Sequence, residues 1–158
     1  MRMTWPAIED GLLTETYPAA WEPFHVALIE GPVLLSYATV MRRTIEHAGA
    51  TYRLAGLGNV LTYPGFRRRG YGARVVRAAT AHIDASDADV GGLFCVPALV
   101  PFYARADWEP LRVARTTHGI DDVTVVKGEV RMMRFLSIHG LTGREAFAIQ
   151  PLHLDYHW

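Results

Sequence analysis

Apolar residues come in short blocks along this chain, and the period of the blocks changes. His25-Val26-Ala27-Leu28-Ile29 predicts a strand and Glu30-Gly31-Pro32 a turn. Residues 33–40, rich in β-branched and apolar side chains, predict a second strand. Glu46-His47-Ala48-Gly49 predicts another turn, and a third strand is expected over about residues 51–63. Gly56 and Gly58 interrupt that strand, which suggests a bulge or a close approach of other atoms to its backbone. Pro64-Gly65 ends it. The period then changes: Val75, Val76, Ala79 and Ile83 recur at helical spacing over residues 69–83, with Arg74, Arg77 and His82 between them.

Residues 84–89 read as a polar loop, residues 90–96 as a short buried strand. Pro97 opens a second helix that carries Leu99, Val100, Phe102 and Tyr103 to about Arg105. Strands are expected at 108–113 and 130–136, with a loop around Gly119-Ile120-Asp121-Asp122 between them. Residues 5–21 predict a short helix ending near Pro18, and residues 137–158 are weakly patterned. Hairpins first and a crossover helix after the third strand predict an α/β fold, a mixed α+β sheet in a single domain over 1–158.

Composition narrows the function classes. The chain has 158 residues, half of them apolar and 20% charged, enough to bury a core without a disulfide or metal staple. Sixteen basic residues balance sixteen acidic ones. Zero net charge argues against a whole-surface attraction to nucleic acid or membrane, and it makes self-association as a homodimer easier. Fifteen of the sixteen basic residues are arginine, which we read as compositional bias. Cys95 is the sole cysteine and no apolar run approaches the roughly 20 residues that span a bilayer, so a cytoplasmic location is expected. The N-terminus also lacks the apolar stretch of a signal peptide.

The most informative segment is Pro64-Gly65-Phe66-Arg67-Arg68-Arg69-Gly70-Tyr71-Gly72-Ala73, between a predicted strand and a predicted helix. The free amides and dipole of a helix N-terminus attract anions, the glycines let a ligand approach, and three arginines add full charge. These features describe a seat for a phosphate or pyrophosphate; a solvated arginine cluster beside a glycine turn is the equally weighted alternative. The segment lacks the Gly-Lys-Ser/Thr of a Walker loop and the third glycine of a dinucleotide fingerprint.

Arg67-x-x-Gly70-x-Gly72 resembles the Arg/Gln-x-x-Gly-x-Gly/Ala signature of the GNAT (GCN5-related N-acetyltransferase) superfamily. Val60-Leu61-Thr62-Tyr63-Pro64 is similar to the strand before that signature, and Phe102-Tyr103-Ala104-Arg105-Ala106-Asp107-Trp108-Glu109 to a downstream segment. The resemblance covers about residues 24–136. It implies an acyl-CoA N-acyltransferase fold with a shortened N-terminal region, acetyl-CoA as co-substrate, and an acceptor amine on a small molecule or a protein. It implies that Arg67, Arg68, Arg69, Gly70, Tyr71, Gly72 and Ala73 hold the cofactor pyrophosphate. It gives the strand residues Asn59, Val60, Leu61 and Thr62 the role of binding the cofactor, with main-chain groups of Asn59, Val60 and Leu61 polarising the thioester, and Tyr103 the role of general acid to the leaving thiolate.

Three positions depart from the family pattern: few residues precede the first strand, Val96-Pro97 stands where an asparagine is frequent, and Asp107 replaces a glycine. A glutamate that often serves as base is replaced by Gly58. Glu30, Asp107, Glu109, His118 and the C-terminal carboxylate are alternatives, none of them assigned. A weaker likeness to the aminoglycoside 2′-N-acetyltransferases would bring Asp155 and Trp158 to a cationic substrate. The spacing of His139, His153, Asp155 and His157 fits no standard metal pattern, and Cys95 is read as core filling. The alternatives to an acetyltransferase are a non-catalytic CoA-binding module and a nucleic-acid binder using Arg67–Arg69.

Overall fold

The structure is a computed structural model that describes residues 17–158. The predicted helix over 5–21 falls largely outside the described residues; its described end is a single 3-10 turn, Ala19–Trp21. Strands β1 (Phe24–Glu30), β2 (Val33–His47) and β3 (Ala50–Thr62) form an antiparallel meander. Helix α1 (Tyr71–Asp84) then crosses to β4 (Val90–Cys95), which pairs parallel to β3. After α2 (Val100–Ala104) come β5 (Glu109–Leu111), β6 (Thr116–His118), β7 (Thr124–Val125) and β8 (Val130–Phe135). Helix α3 (Ile138–Ile149) and β9 (Leu152–Leu154) complete the fold. The main sheet runs β1-β2-β3-β4-β8-β5, and a small second sheet runs β7-β6-β9.

The hydrophobic pattern placed the hairpin units and α1 correctly. β2 is longer than the expected 33–40 because Met41, Ile45 and His47 continue its buried alternation beyond the end of β1 and pair with the start of β3. Ala48 and Gly49, at φ 51° and 79°, make the two-residue turn between β2 and β3. Helix α1 buries Val75, Val76, Ala79 and Ile83 against one face of the sheet, together with Ala38, Val40 and Leu57.

The weakly patterned tail holds α3 and β9, which cover the opposite face. α3 escapes the periodicity test because it meets the sheet through Gly140, Gly143 and Phe147 rather than through an apolar stripe. A Cβ on Gly140 would lie 2.0 Å from the carbonyl oxygen of Asp89, and one on Gly143 would lie 2.3 Å from the Tyr52 hydroxyl. The buried Asp89 ties the elements together there. Its carboxylate accepts from the backbone N–H of Arg53 at 2.9 Å, from the Arg53 guanidinium at 3.1 and 3.2 Å, and from Ser137 Oγ at 2.7 Å. Ser137 in turn caps α3 by accepting from the Gly140 amide at 3.0 Å.

These donors, the Arg53 guanidinium first, hold the Asp89 carboxyl well below the usual carboxylate range. A depressed carboxylate adds stability above its unfolded pKa, about 3.9, and loses it as pH falls. Asp89→Asn should therefore cost about 2 kcal/mol in urea denaturation at neutral pH. The gap between wild type and variant should close as the pH drops below about 4.

Candidate active site

The third strand bulges against one partner near its end and leaves the other. Tyr37 pairs with Leu61 and Thr39 with Gly58, so Asn59 and Val60 stand opposite Ala38 alone and the strand bulges. Asn59 takes φ 50°, in the left-handed region that asparagine tolerates. On the other side, pairing with β4 stops at Gly56–Gly92 although both strands continue. Main-chain groups of β3 beyond Gly56 are thereby released from the β4 ladder.

Into this opening faces the start of α1. Gly70 precedes the helix with φ 78°, a conformation that costs most other residues about 1–2 kcal/mol. Among the described residues no side chain caps the helix, and its first intrahelical bond runs from the Arg74 amide to the Gly70 carbonyl at 3.1 Å. The amides of Tyr71, Gly72 and Ala73 belong to the turn whose donors have no intrahelical acceptor. Gly72 acts differently from Gly70. Its φ is unexceptional, but a Cβ there would lie 3.0 Å from Thr62 Oγ1 and 3.6 Å from the Phe102 ring.

A cleft of about 690 Å³ joins these parts. Val60, Leu61, Thr62, Arg67, Arg68, Gly70, Tyr71, Gly72, Ala73 and Tyr103, all expected from the sequence, line it. Phe66, Leu99, Phe102 and Arg105 also line it; the sequence gives them no role in the site beyond their place in or beside the motifs. Asn59 and Arg69 do not line it. The Asn59 amide nitrogen is buried without a hydrogen-bond partner among the described residues, because the bulge turns that side chain inward. The Arg69 guanidinium lies 5.9 Å from the centroid of the Phe66 ring. Arg67 donates from Nε to the Thr62 carbonyl at 3.0 Å, binding the loop to the strand end.

Tyr103 comes from α2 and is 6% exposed, between the cleft and the core. Burial pushes its hydroxyl well above the ordinary tyrosine value, with the nearby Cys95 adding to the rise. The phenol is thus held protonated across the neutral range. Cys95 is itself buried, its thiol pushed up to about 11 chiefly by burial, and it contacts Met132 Sδ at 3.6 Å, as core filling requires. Asp107 takes φ 59°, so the aspartate adopts the left-handed turn that a glycine would.

Gly58 lies on the other side of the bulge. A Cβ there would lie 2.3 Å from the Tyr17 hydroxyl and 3.2 Å from the Trp158 ring. Trp158 also lies against Gly56 and Gly92, so its indole spans the seam between β3 and β4 in a trough of three glycines. Arg43 holds this end of the chain. It pairs with Asp155, donates to the Tyr156 carbonyl at 3.4 Å and stacks 4.3 Å over the Trp21 ring. None of Glu30, Asp107, Glu109, His118 and Trp158 lines the 690 Å³ cleft. Glu109 instead pairs with Arg144 at 2.9 Å, and His118 stacks on His157.

The pattern of the acetyltransferase (GNAT) domain family matches residues 14–111. The chain belongs to this family. No curated protein sequence matches it. Among solved structures, a Klebsiella pneumoniae protein described as an acyl-CoA N-acyltransferase shares 17% identity at a TM-score of 0.54, covering 84% of this chain and 83% of its own. A GCN5-related N-acetyltransferase from Kribbella flavida shares 20% identity at a TM-score of 0.49, over 55% of this chain and 22% of that one. A GNAT family acetyltransferase from Brucella melitensis, solved with acetyl-CoA, shares 20% identity at a TM-score of 0.45, over 54% and 52%. The chain thus spans between about a fifth and about half of the length of the Kribbella and Brucella proteins. The likeness to the Klebsiella protein shows the shared acyltransferase fold.

Gly58 tests how tightly the GNAT seam is packed. Gly58→Ala should lower the melting temperature by several degrees and shift the tryptophan fluorescence, since Tyr17 and Trp158 must both give way. An alanine at Gly31, where nothing lies within 4 Å, should leave the fluorescence unchanged.

Proposed function

We propose that this protein is an acetyl-CoA-dependent N-acetyltransferase in which a primary amine attacks the thioester directly. The supporting observation is the single cleft that brings an uncapped helix N-terminus and Arg67–Arg68 together with the freed backbone of β3 and the buried Tyr103. In this reading the amides at 71–73 and the arginines seat the pyrophosphate, where helix dipole and full charges act together. The cofactor's pantetheine arm lies along Val60–Thr62. Amides of the splayed strand polarise the thioester carbonyl, since donors aimed at a developing oxyanion lower the barrier most in a site that excludes water. The C–N bond forms, the C–S bond breaks, and the Tyr103 hydroxyl gives its proton to the thiolate.

The acceptor is an amine on a small molecule or a protein. No described helix is long and apolar enough to cross a membrane, which accords with a cytoplasmic enzyme. The outer face of α3 exposes Ile138, Leu141 and Ile149, a surface suited to a homodimer. Arg69 and Asn59, although off the cleft lining, remain part of the proposed cofactor site as residues that shape the loop and the bulge.

Calorimetry with CoA and with pantetheine checks the phosphate seat: pantetheine should bind about 10²-fold more weakly or worse. Equal affinities would remove the pyrophosphate assignment. CoA binding with no thiol release from acetyl-CoA, across a panel of a polyamine, an amino sugar, an aromatic amine and a peptide, would favour the non-catalytic module.

Tyr103→Phe should lower turnover by about 10²-fold or more and leave CoA affinity nearly unchanged. The ring still packs beside Phe102, and only the proton donor is lost. Full turnover in this variant, with chemistry shown to limit the rate, would reduce Tyr103 to a packing residue.

A further inference from the structure

Attack by an amine leaves a proton on nitrogen that must go somewhere, and position 58, opposite the bulge, is a glycine. We propose that this proton leaves through the chain Thr39–Tyr37–His25, with His25 as its final acceptor. The proposal rests on the acetyl-transfer reading and adds to it the group that discharges the amine.

Thr39 Oγ1 donates to Tyr37 Oη at 2.9 Å, and Tyr37 Oη lies 2.5 Å from His25 Nδ1. With the threonine hydrogen placed on the tyrosine oxygen, the tyrosine hydrogen points to Nδ1 and the imidazole accepts. All the donors therefore run in one direction, outward. Thr39 and Tyr37 are 0% and 2% exposed, whereas His25 is exposed on the edge strand β1. The chain leads from the sheet interior to solvent.

Its inner end is at the seam. Thr39 pairs across the ladder with Gly58, and Tyr37 pairs with Leu61 on the far side of the bulge. The relay therefore brackets the two residues of β3 that the bulge releases. Above its inner end, the Tyr17 hydroxyl takes the space where a side chain at position 58 would begin. On the same face of β2 the flanking positions Leu35 and Met41 are apolar. A buried hydroxyl costs stability unless it is bonded, and those of Thr39 and Tyr37 are bonded to each other and to the imidazole.

The groups that face His25 are Tyr37 and Thr39 of β2. Tyr17 interacts in turn with Tyr37, and no ion pair among the described residues involves His25. Imidazole is the side chain suited to taking and releasing a proton near neutrality. The nitrogen of the acylated amine loses one proton to the relay. Each hydroxyl passes one on and receives one, Nδ1 gains one, and the exposed ring returns it to water. Tyr103 meanwhile supplies the thiolate's proton.

The test uses the amine that the wild-type protein acetylates fastest in the panel above. His25→Gln, Thr39→Val and Tyr37→Phe should each lower kcat/KM for that amine by about 10²-fold at neutral pH. The loss should shrink at high pH, where solvent base takes the proton, while KM for acetyl-CoA stays constant. Thr39→Ser, which keeps the hydroxyl, should recover most of the activity lost in Thr39→Val. His25 is exposed, so its variant separates this effect from any folding failure of Tyr37→Phe. Unchanged rates and pH profiles in His25→Gln and Thr39→Val would overturn the relay and leave acetyl transfer standing. A wild-type protein that releases no thiol with any of the amines would overturn both.

Discussion

A β-strand satisfies its backbone on two sides only while it keeps register with both neighbours. β3 interrupts one and gives up the other near its end: one extra residue shifts the register with β2, which resumes at Leu61 and Thr62, and divergence from β4 ends the parallel ladder after three pairs. Unpaired backbone donors in a partly dry cleft are costly unless something bonds to them. That cost suits the opening to a ligand that carries hydrogen-bonding groups of its own. The loop after β3 and the first turn of α1 are set against the same opening by the short connection through Pro64–Phe66. The Ser36 hydroxyl steadies the strand end, donating to the Leu61 carbonyl at 2.7 Å and lying 2.8 Å from Thr62 Oγ1.

The far end of the same strand is built in the opposite way. There β3 is paired on both sides, Arg53 and Asp89 exchange backbone and side-chain bonds, and α3 is capped from the same cluster. One strand thus runs from a fully bonded anchor to an open mouth. Trp108, buried and donating from Nε1 to Thr80 Oγ1 at 3.0 Å, fastens α1 to the segment after α2. It holds the helix that follows the 67–70 loop in a fixed relation to the helix that carries Tyr103.

How far the sequence revealed this depended on the kind of contact. Periodicity located β1 to β4 and α1 because those elements pack through side chains. The glycines of the third strand announced a bulge or a close approach, and both occur: the bulge at Asn59–Val60 and the Trp158 ring against Gly56 and Gly58. The loop at 67–73 was legible as a candidate site because its residues are contiguous in the chain. α3, β9 and the placement of Asn59 were not, since they depend on tertiary contacts that leave no apolar repeat. The relay was hidden for the same reason: His25 and Tyr37 are twelve residues apart and meet only through register.

The glycine contacts of α3 have an evolutionary consequence. Where a helix docks through side chains, a lost methylene leaves a void and a neighbour can swell to fill it. At Gly140 and Gly143 the backbone itself meets Asp89 and Tyr52, and every alternative residue adds atoms where there is no room. Drift can shrink a core residue gradually, but it has no small step to take here. At Gly140 the obstacle is a carbonyl that cannot step aside, at Gly143 a ring that would have to shift, and so the weakest-looking stretch of the sequence contains some of its least negotiable letters.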